Sequence, residues 1–138
     1  MRGYLLDTNV VSDYAKGHVF VTPRLLNVPV KDTYISVITL MELEFGFLNG
    51  TDVSERIHRR TLDLLNEIQI LPYEAADAIE TARIRHYLKN ELKPSKPIGD
   101  YDALIAGTAR NRELICVSNN VDEFSRVPNL QFENWTQP

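Results

Sequence analysis

The chain has 138 residues and a formal net charge of −4. That length suits one compact domain spanning residues 1–138, and the acidic balance argues against a dedicated nucleic-acid binder, in which basic residues dominate. A single cysteine, Cys116, lies in the apolar run 114–117, which excludes an internal disulfide framework and a Cys/His zinc module. No apolar stretch approaches the roughly 20 residues of a membrane span. The opening MRGYLLDTNV turns polar too soon for a signal peptide, so the cytoplasm is the expected location.

The run Tyr4-Leu5-Leu6 predicts a buried strand ending at Asp7, followed by a short helix over 9–15 that stops near Gly17. A second short helix is predicted over 23–28, with Thr22 as its N-cap and Pro23 in the first helical position. Residues 33–37 alternate and are rich in β-formers, so they predict a strand. A helix then runs from Ile38 to the stop signal Asn49-Gly50. From Thr51 or Ser54 an amphipathic helix presents Ile57, Leu62, Leu64, Leu65 and Ile68 on one face, with Arg56, His58, Arg59 and Arg60 outside it. Residues 69–71 predict a third strand.

The longest helical stretch is 73–92, with Ala75, Ala76, Ala78, Ile79, Ala82, Ile84 and Leu88 expected as a small-residue packing face. Prolines make 93–97 a loop. A helix follows over 101–111 with Asp100 as its cap, then a buried strand at 114–117, a turn with a short helix within 121–127, and an edge strand at 130–133. Strands alternating with helices predict an α/β fold: three layers, α/β/α, around a central, mainly parallel sheet of about five strands.

In such sheets function collects at the carboxyl ends of the strands. Asp7 ends the first strand and Asn120 follows the fourth. Asp102 opens the helix that leads into the fourth strand, and Glu42 lies on the helix after the second. Carboxylates gathered at one buried edge repel one another unless a cation offsets them. Hard oxygen donors suit Mg²⁺ or Mn²⁺, not zinc, and Asp7 and Asp102 are the candidate metal ligands. A metal held this way activates a water for attack on a phosphodiester. Thr8, Asn9 and Ser12 follow Asp7 closely and are candidates to orient it. Asp122 and Glu123 stand near enough to supplement Asn120. Arg56, Arg59 and Arg60, and on the long helix Arg83, Arg85, His86 and Lys89, are either solvated faces or contacts to a partner protein or RNA phosphates, whereas Lys93 and Lys96, just before the Asp102 helix, are better placed to meet substrate. The three histidines have no metal-site spacing, and Trp135 is expected to anchor the C-terminal segment.

Four blocks, LLDTNVVSDY at 5–14, ISVITLMELEFG at 35–46, IGDYDALIAGTAR at 98–110 and VSNNVDEFSRVPNLQFENW at 117–135, resemble the PIN domain, and within it the VapC-type toxins of prokaryotic toxin–antitoxin pairs. The resemblance runs the length of the chain. It implies a PIN-like fold and a Mg²⁺- or Mn²⁺-dependent endoribonuclease, often directed at one site in tRNA or rRNA. It further implies an antitoxin that inhibits the enzyme, and a homodimer. Asp7, Glu42 and Asp102 match the family's three acidic positions; Asp102 is favoured over Asp100 because it directly precedes Ala103-Leu104-Ile105-Ala106-Gly107. Asn120 matches a fourth position that is often Asp, a departure that points to one metal in place of two. Thr8, Asn9 and Ser12 match polar positions around the first acid.

Two other classes compete. A phosphoacceptor receiver module needs paired acids after the first strand and an Asp ending a middle strand. Here Asp7 has no acidic neighbour, and Asp52 follows Gly50-Thr51 with no apolar strand before it. A non-catalytic PIN-like domain that binds RNA or a partner draws its support from Asn120 alone.

Overall fold

The computed structural model describes residues 3–50, 54–92 and 97–138. Five short strands, β1 (Tyr4–Leu6), β2 (Thr33–Ser36), β3 (Gln69–Leu71), β4 (Ile115–Val117) and β5 (Phe132–Glu133), form one sheet in the order β3-β2-β1-β4-β5. Every pairing is parallel, with Tyr4 opposite both Thr33 and Ile115. The first strand is thus the central one, and its neighbour β4 lies more than a hundred residues away in sequence.

The period of two along the strands sorts side chains into two cores. Leu6, Ile35 and Val117 face a layer built from α1 (Thr8–Ala15), α2 (Val21–Leu26), α3 (Val37–Asn49) and α4 (Glu55–Glu67), which contributes Val10, Leu25, Leu43 and Leu64. Leu5 and Cys116 face the opposite way, against Ile84 and Leu88 of the long helical stretch and Ile105 and Ala109 of α6 (Asp100–Asn111). The predicted three layers are present, and the sheet is wholly parallel. Trp135 is buried, tilted against Tyr4 at 5.4 Å and donating its indole N–H to Glu133, so it does anchor the C-terminal segment.

Local chemistry explains the element ends. Ser36 Oγ accepts from the amides of Ile38 and Thr39, so the second strand stops at Ser36 and Val37 already belongs to α3. Ser54 caps α4 through Ile57 N–H, while Thr51 lies outside the described residues. The α2 expectation needs correction: the helix starts at Val21, and the His18 ring, through Nδ1, accepts the amides of Phe20 and Val21. The Thr22 hydroxyl caps nothing and is buried without a hydrogen bond. Asp100 is likewise the first residue of α6, and Gly99 holds the cap position.

The long stretch divides into α5 (Ala75–Tyr87) and a π-helical turn over Leu88–Leu92. Its expected small-residue face holds only at Ile84 and Leu88, which are buried. Ala75, Ala76, Ala78, Ile79 and Ala82 are exposed, and Asp77 and Thr81 are buried instead. Two polar side chains are buried there because each finds partners: Thr81 bonds the Asp77 carbonyl and the Tyr73 hydroxyl, and Asp77 is met from the end of α6. Asp77 accepts from Asn111 and from Arg112, whose guanidinium also reaches Glu74 and the Pro72 carbonyl. Thr81 meets Gly107, where an added Cβ would lie 1.9 Å from Thr81 Oγ1 and 2.9 Å from Thr81 Cα, so only glycine lets the two helices approach this closely.

Candidate active site at the carboxyl edge of the sheet

The carboxyl ends of β1 and β4 meet side by side, and the candidate site is built on them. Asp7, 3% exposed, is the N-cap of α1. Its Oδ1 accepts from Thr8 N–H at 2.8 Å, and its Oδ2 accepts from Asn9 Nδ2 at 2.9 Å and Ser118 Oγ at 2.8 Å. In this one carboxylate, capping coincides with a place in the candidate site. Thr8 reaches the other way, donating its hydroxyl to Glu42 Oε1 at 2.7 Å and so tying α3 to α1. Asn9 also accepts from Asn119 N–H. Ser12, a turn further on, takes no part in these hydrogen bonds; its carbonyl accepts from Lys16 N–H.

The second half comes from α6 and the segment after β4. Asn120 donates its amide to Asp102 Oδ2 at 2.6 Å and also to Glu123, and its own N–H is held by Ser118 Oγ at 3.0 Å. Glu123 in turn accepts from Gly99 N–H at 2.8 Å. Among the predicted residues, Asp7, Thr8, Asn9, Glu42, Asp102 and Asn120 therefore join one hydrogen-bonded constellation. Asp100 and Asp122 are exposed, as is Glu44, the other acid of the MELEFG block. Lys93 and Lys96 lie outside the described residues. Two participants were underweighted in sequence: Ser118, a fully buried hydroxyl touching Asp7, Asn9 and Asn120, and Glu123, which joins Asp102. The only hint in sequence is that Ser118-Asn119-Asn120 repeats after β4 the run of short polar residues that Asp7-Thr8-Asn9 makes after β1, a pattern too ordinary to single out Ser118 and silent on Glu123.

Electrostatics separate the acids. Burial raises the Asp7 carboxyl above its ordinary value, against the hydrogen bonds from Ser118, Thr8 and Asn9. Asp102 is pushed up to about 8 by burial, by a proton shared with Glu123, and by the charges of Asp7 and Glu123. Glu123 is correspondingly lowered, first by its hydrogen bond with Asp102. Cys116 lies beneath the pair, its thiol raised by burial and by both aspartates, and is an inert core group.

The donor set fits a hard divalent cation. Every candidate donor is oxygen, and the burial and neighbouring acids that raise the Asp102 carboxyl are a crowding that a cation would relieve. Among the described residues, no three acidic, histidine or cysteine side chains already stand as a finished cage. The Asn120 amide takes one oxygen of Asp102 and one of Glu123, and Gly99 N–H takes the other oxygen of Glu123.

A PIN domain model matches residues 4–130. The chain belongs to the PIN domain family. Its relatives at full length include the tRNA(fMet)-specific endonuclease VapC of Shigella flexneri, 35% identical over 99% of this chain and 100% of that one, and ribonuclease VapC2 of Haemophilus influenzae, 36% identical over 98% and 99%. The crystal structure of DNA-bound VapBC from Salmonella typhimurium superposes with a TM-score of 0.81 at 33% identity, covering 98% of this chain and 99% of that one.

Proposed function

We propose that the chain is the toxin of a type II toxin–antitoxin pair: a Mg²⁺- or Mn²⁺-dependent endoribonuclease of the cytoplasm that hydrolyses phosphodiester bonds in tRNA or rRNA, forms a homodimer and is inhibited by a cognate antitoxin. The names of its relatives and the VapBC architecture of its structural neighbours support the class. The observation that carries the chemistry is the junction of Asp7, Asp102 and Glu123 at the carboxyl edge of the sheet, too crowded for all three to ionise freely. Asp7 and Asp102 would hold the ion, with Glu123 beside them. When bound, the ion supplies positive charge for a phosphate oxygen and lowers the pKa of a water. The chain's own part is to hold these acids in place. Thr8 N–H, Asn9 and Ser118 fix both oxygens of Asp7, Thr8 Oγ1 holds Glu42, and Asn120 holds Asp102 against Glu123. Met41, Phe45 and Leu48 make an exposed apolar stripe on α3, the helix that carries Glu42, which suits an amphipathic antitoxin helix.

Purified, antitoxin-free protein should release discrete fragments from total cellular RNA with Mg²⁺ or Mn²⁺, but not with EDTA or after Asp102→Asn. Cleavage that survives Asp102→Asn would remove this assignment. One observation favours a second reading, a non-catalytic RNA- or partner-binding domain: the Asn120 amide, in place of a further acid, gives hydrogen bonds to two of the acids. Metal-dependent cleavage lost on Asp7→Asn would exclude it.

A further inference from the structure

An acidic cluster repels the polyanion it is meant to cut, so cations outside the cluster must hold the strand in place. Several arginines are engaged elsewhere. Arg110 pairs with Glu80, Arg112 with Asp77 and Glu74, Arg59 with Glu55, and Arg83 with Glu80, while Arg60 lies over the Tyr14 ring. Arg85 and Lys89, near the end of α5 and in the π-helical turn, are exposed and have no ion-pair partner among the described residues. Both line a cavity of about 950 Å³, together with His86, Asn90, Leu88 and Ile98. Pro97, Ile98 and Asp100 form its opposite wall. Between Ile98 and Asp100 of that wall, Gly99 N–H is bonded to Glu123 of the candidate site, so the groove lies beside the acids, with Arg85 and Lys89 on its other side and an apolar floor at Leu88 and Ile98. A π-helical turn, a local departure often found at functional sites, forms part of its rim.

We propose that this groove carries the RNA backbone to the acid cluster, with Arg85 and Lys89 as phosphate-binding, substrate-positioning residues. The inference rests on the ribonuclease reading and adds the path of the substrate. The test uses full-length protein and fluorescently labelled bulk tRNA. In the Asp102→Asn protein, which should bind without cutting, Arg85→Ala with Lys89→Ala should weaken binding about tenfold at moderate salt. It should also flatten the slope of log Kd against log salt by about 1.4, the loss of two single-strand phosphate contacts. In the active protein the same pair of changes should raise KM and leave kcat within about twofold. Arg83→Ala, an exposed change on the same helix at a residue outside the groove, should alter none of these. Unchanged Kd, slope and KM in the double variant, with wild-type cleavage intact, would overturn the groove alone. So would an equal loss from Arg83→Ala. No tRNA binding by the Asp102→Asn protein, together with no cleavage of total RNA by wild type, would overturn the ribonuclease reading as well.

Discussion

Asn120 decides how the acids coexist without a metal. Its amide gives hydrogen bonds to Asp102 and Glu123, a role a carboxylate cannot fill. Asn120→Asp should therefore lower metal-free stability at pH 7 by about 1–3 kcal/mol and enlarge the stabilisation gained on adding Mn²⁺, as read by thermal melts in EDTA and in Mn²⁺. A loss that Mn²⁺ fails to recover would show that Asn120 serves packing alone. The Asp102 carboxyl gives a second expectation. Its folded-state value of about 8 lies above the ordinary 3.8, so folded protein binds a proton that the unfolded chain has released. Metal-free stability should then fall as pH rises from about 4 to about 8. Asp102→Asn should remove that slope and, after discounting for solvent screening, stabilise the metal-free protein by about 1–2 kcal/mol at pH 7.5. Urea titrations in EDTA across this range measure it, and parallel slopes in the two proteins would rule it out. Asp7 and Asn120 stood out in sequence as an acid and an amide following apolar strands, whereas Glu42 and Asp102, on helices, stood out only through the resemblance of their blocks. Ser118 did not, because a serine after a strand is ordinary until its neighbours across the sheet are known.

Between elements, the lesson of α5 is that polarity does not predict burial when a partner is supplied from afar. The alanines of 75–82 looked like a packing face, and the strands and α1, α3, α4 and α6 were readable from pattern and turn signals. The face α5 buries is set by Asn111 and Arg112, more than thirty residues further on, which sequence periodicity along one helix cannot see. Burial alone would raise the Asp77 carboxyl, but the Arg112 guanidinium, Glu74 N–H and Asn111 outweigh it and hold the carboxyl below its ordinary value of 3.8. The resulting stability is fully present above pH 3.8 and is lost as pH falls through the lower folded value. Asp77→Ala leaves Arg112 half-buried without its closest anion and should cost about 3–5 kcal/mol at pH 7. The gap between variant and wild type should close in acid below pH 3.8. A gap that stays constant into acid, in guanidinium titrations, would mean that the carboxylate charge is not what joins α5 to α6.

Taken whole, the molecule places its first strand in the middle of the sheet and brings β4 to it from the far end of the chain. Both cores and both halves of the candidate site depend on that single pairing. A chain ended after residue 113 would leave one side of β1 unpaired, Leu5 without Cys116, and Asp7 without Ser118. It should show no cooperative unfolding transition by circular dichroism. A cooperative transition in that fragment would mean that the α1–α4 layer folds on its own.

This pairing also sets a timetable for the chain as it leaves the ribosome. Asp7 and Glu42 are made before Asp102, Ser118 and Glu123, and cannot join them until synthesis has passed residue 123 and β4 has threaded in beside β1. If the proposed ribonuclease activity resides in this site, a nascent chain short of residue 123 cannot attack the RNA of the ribosome that is making it.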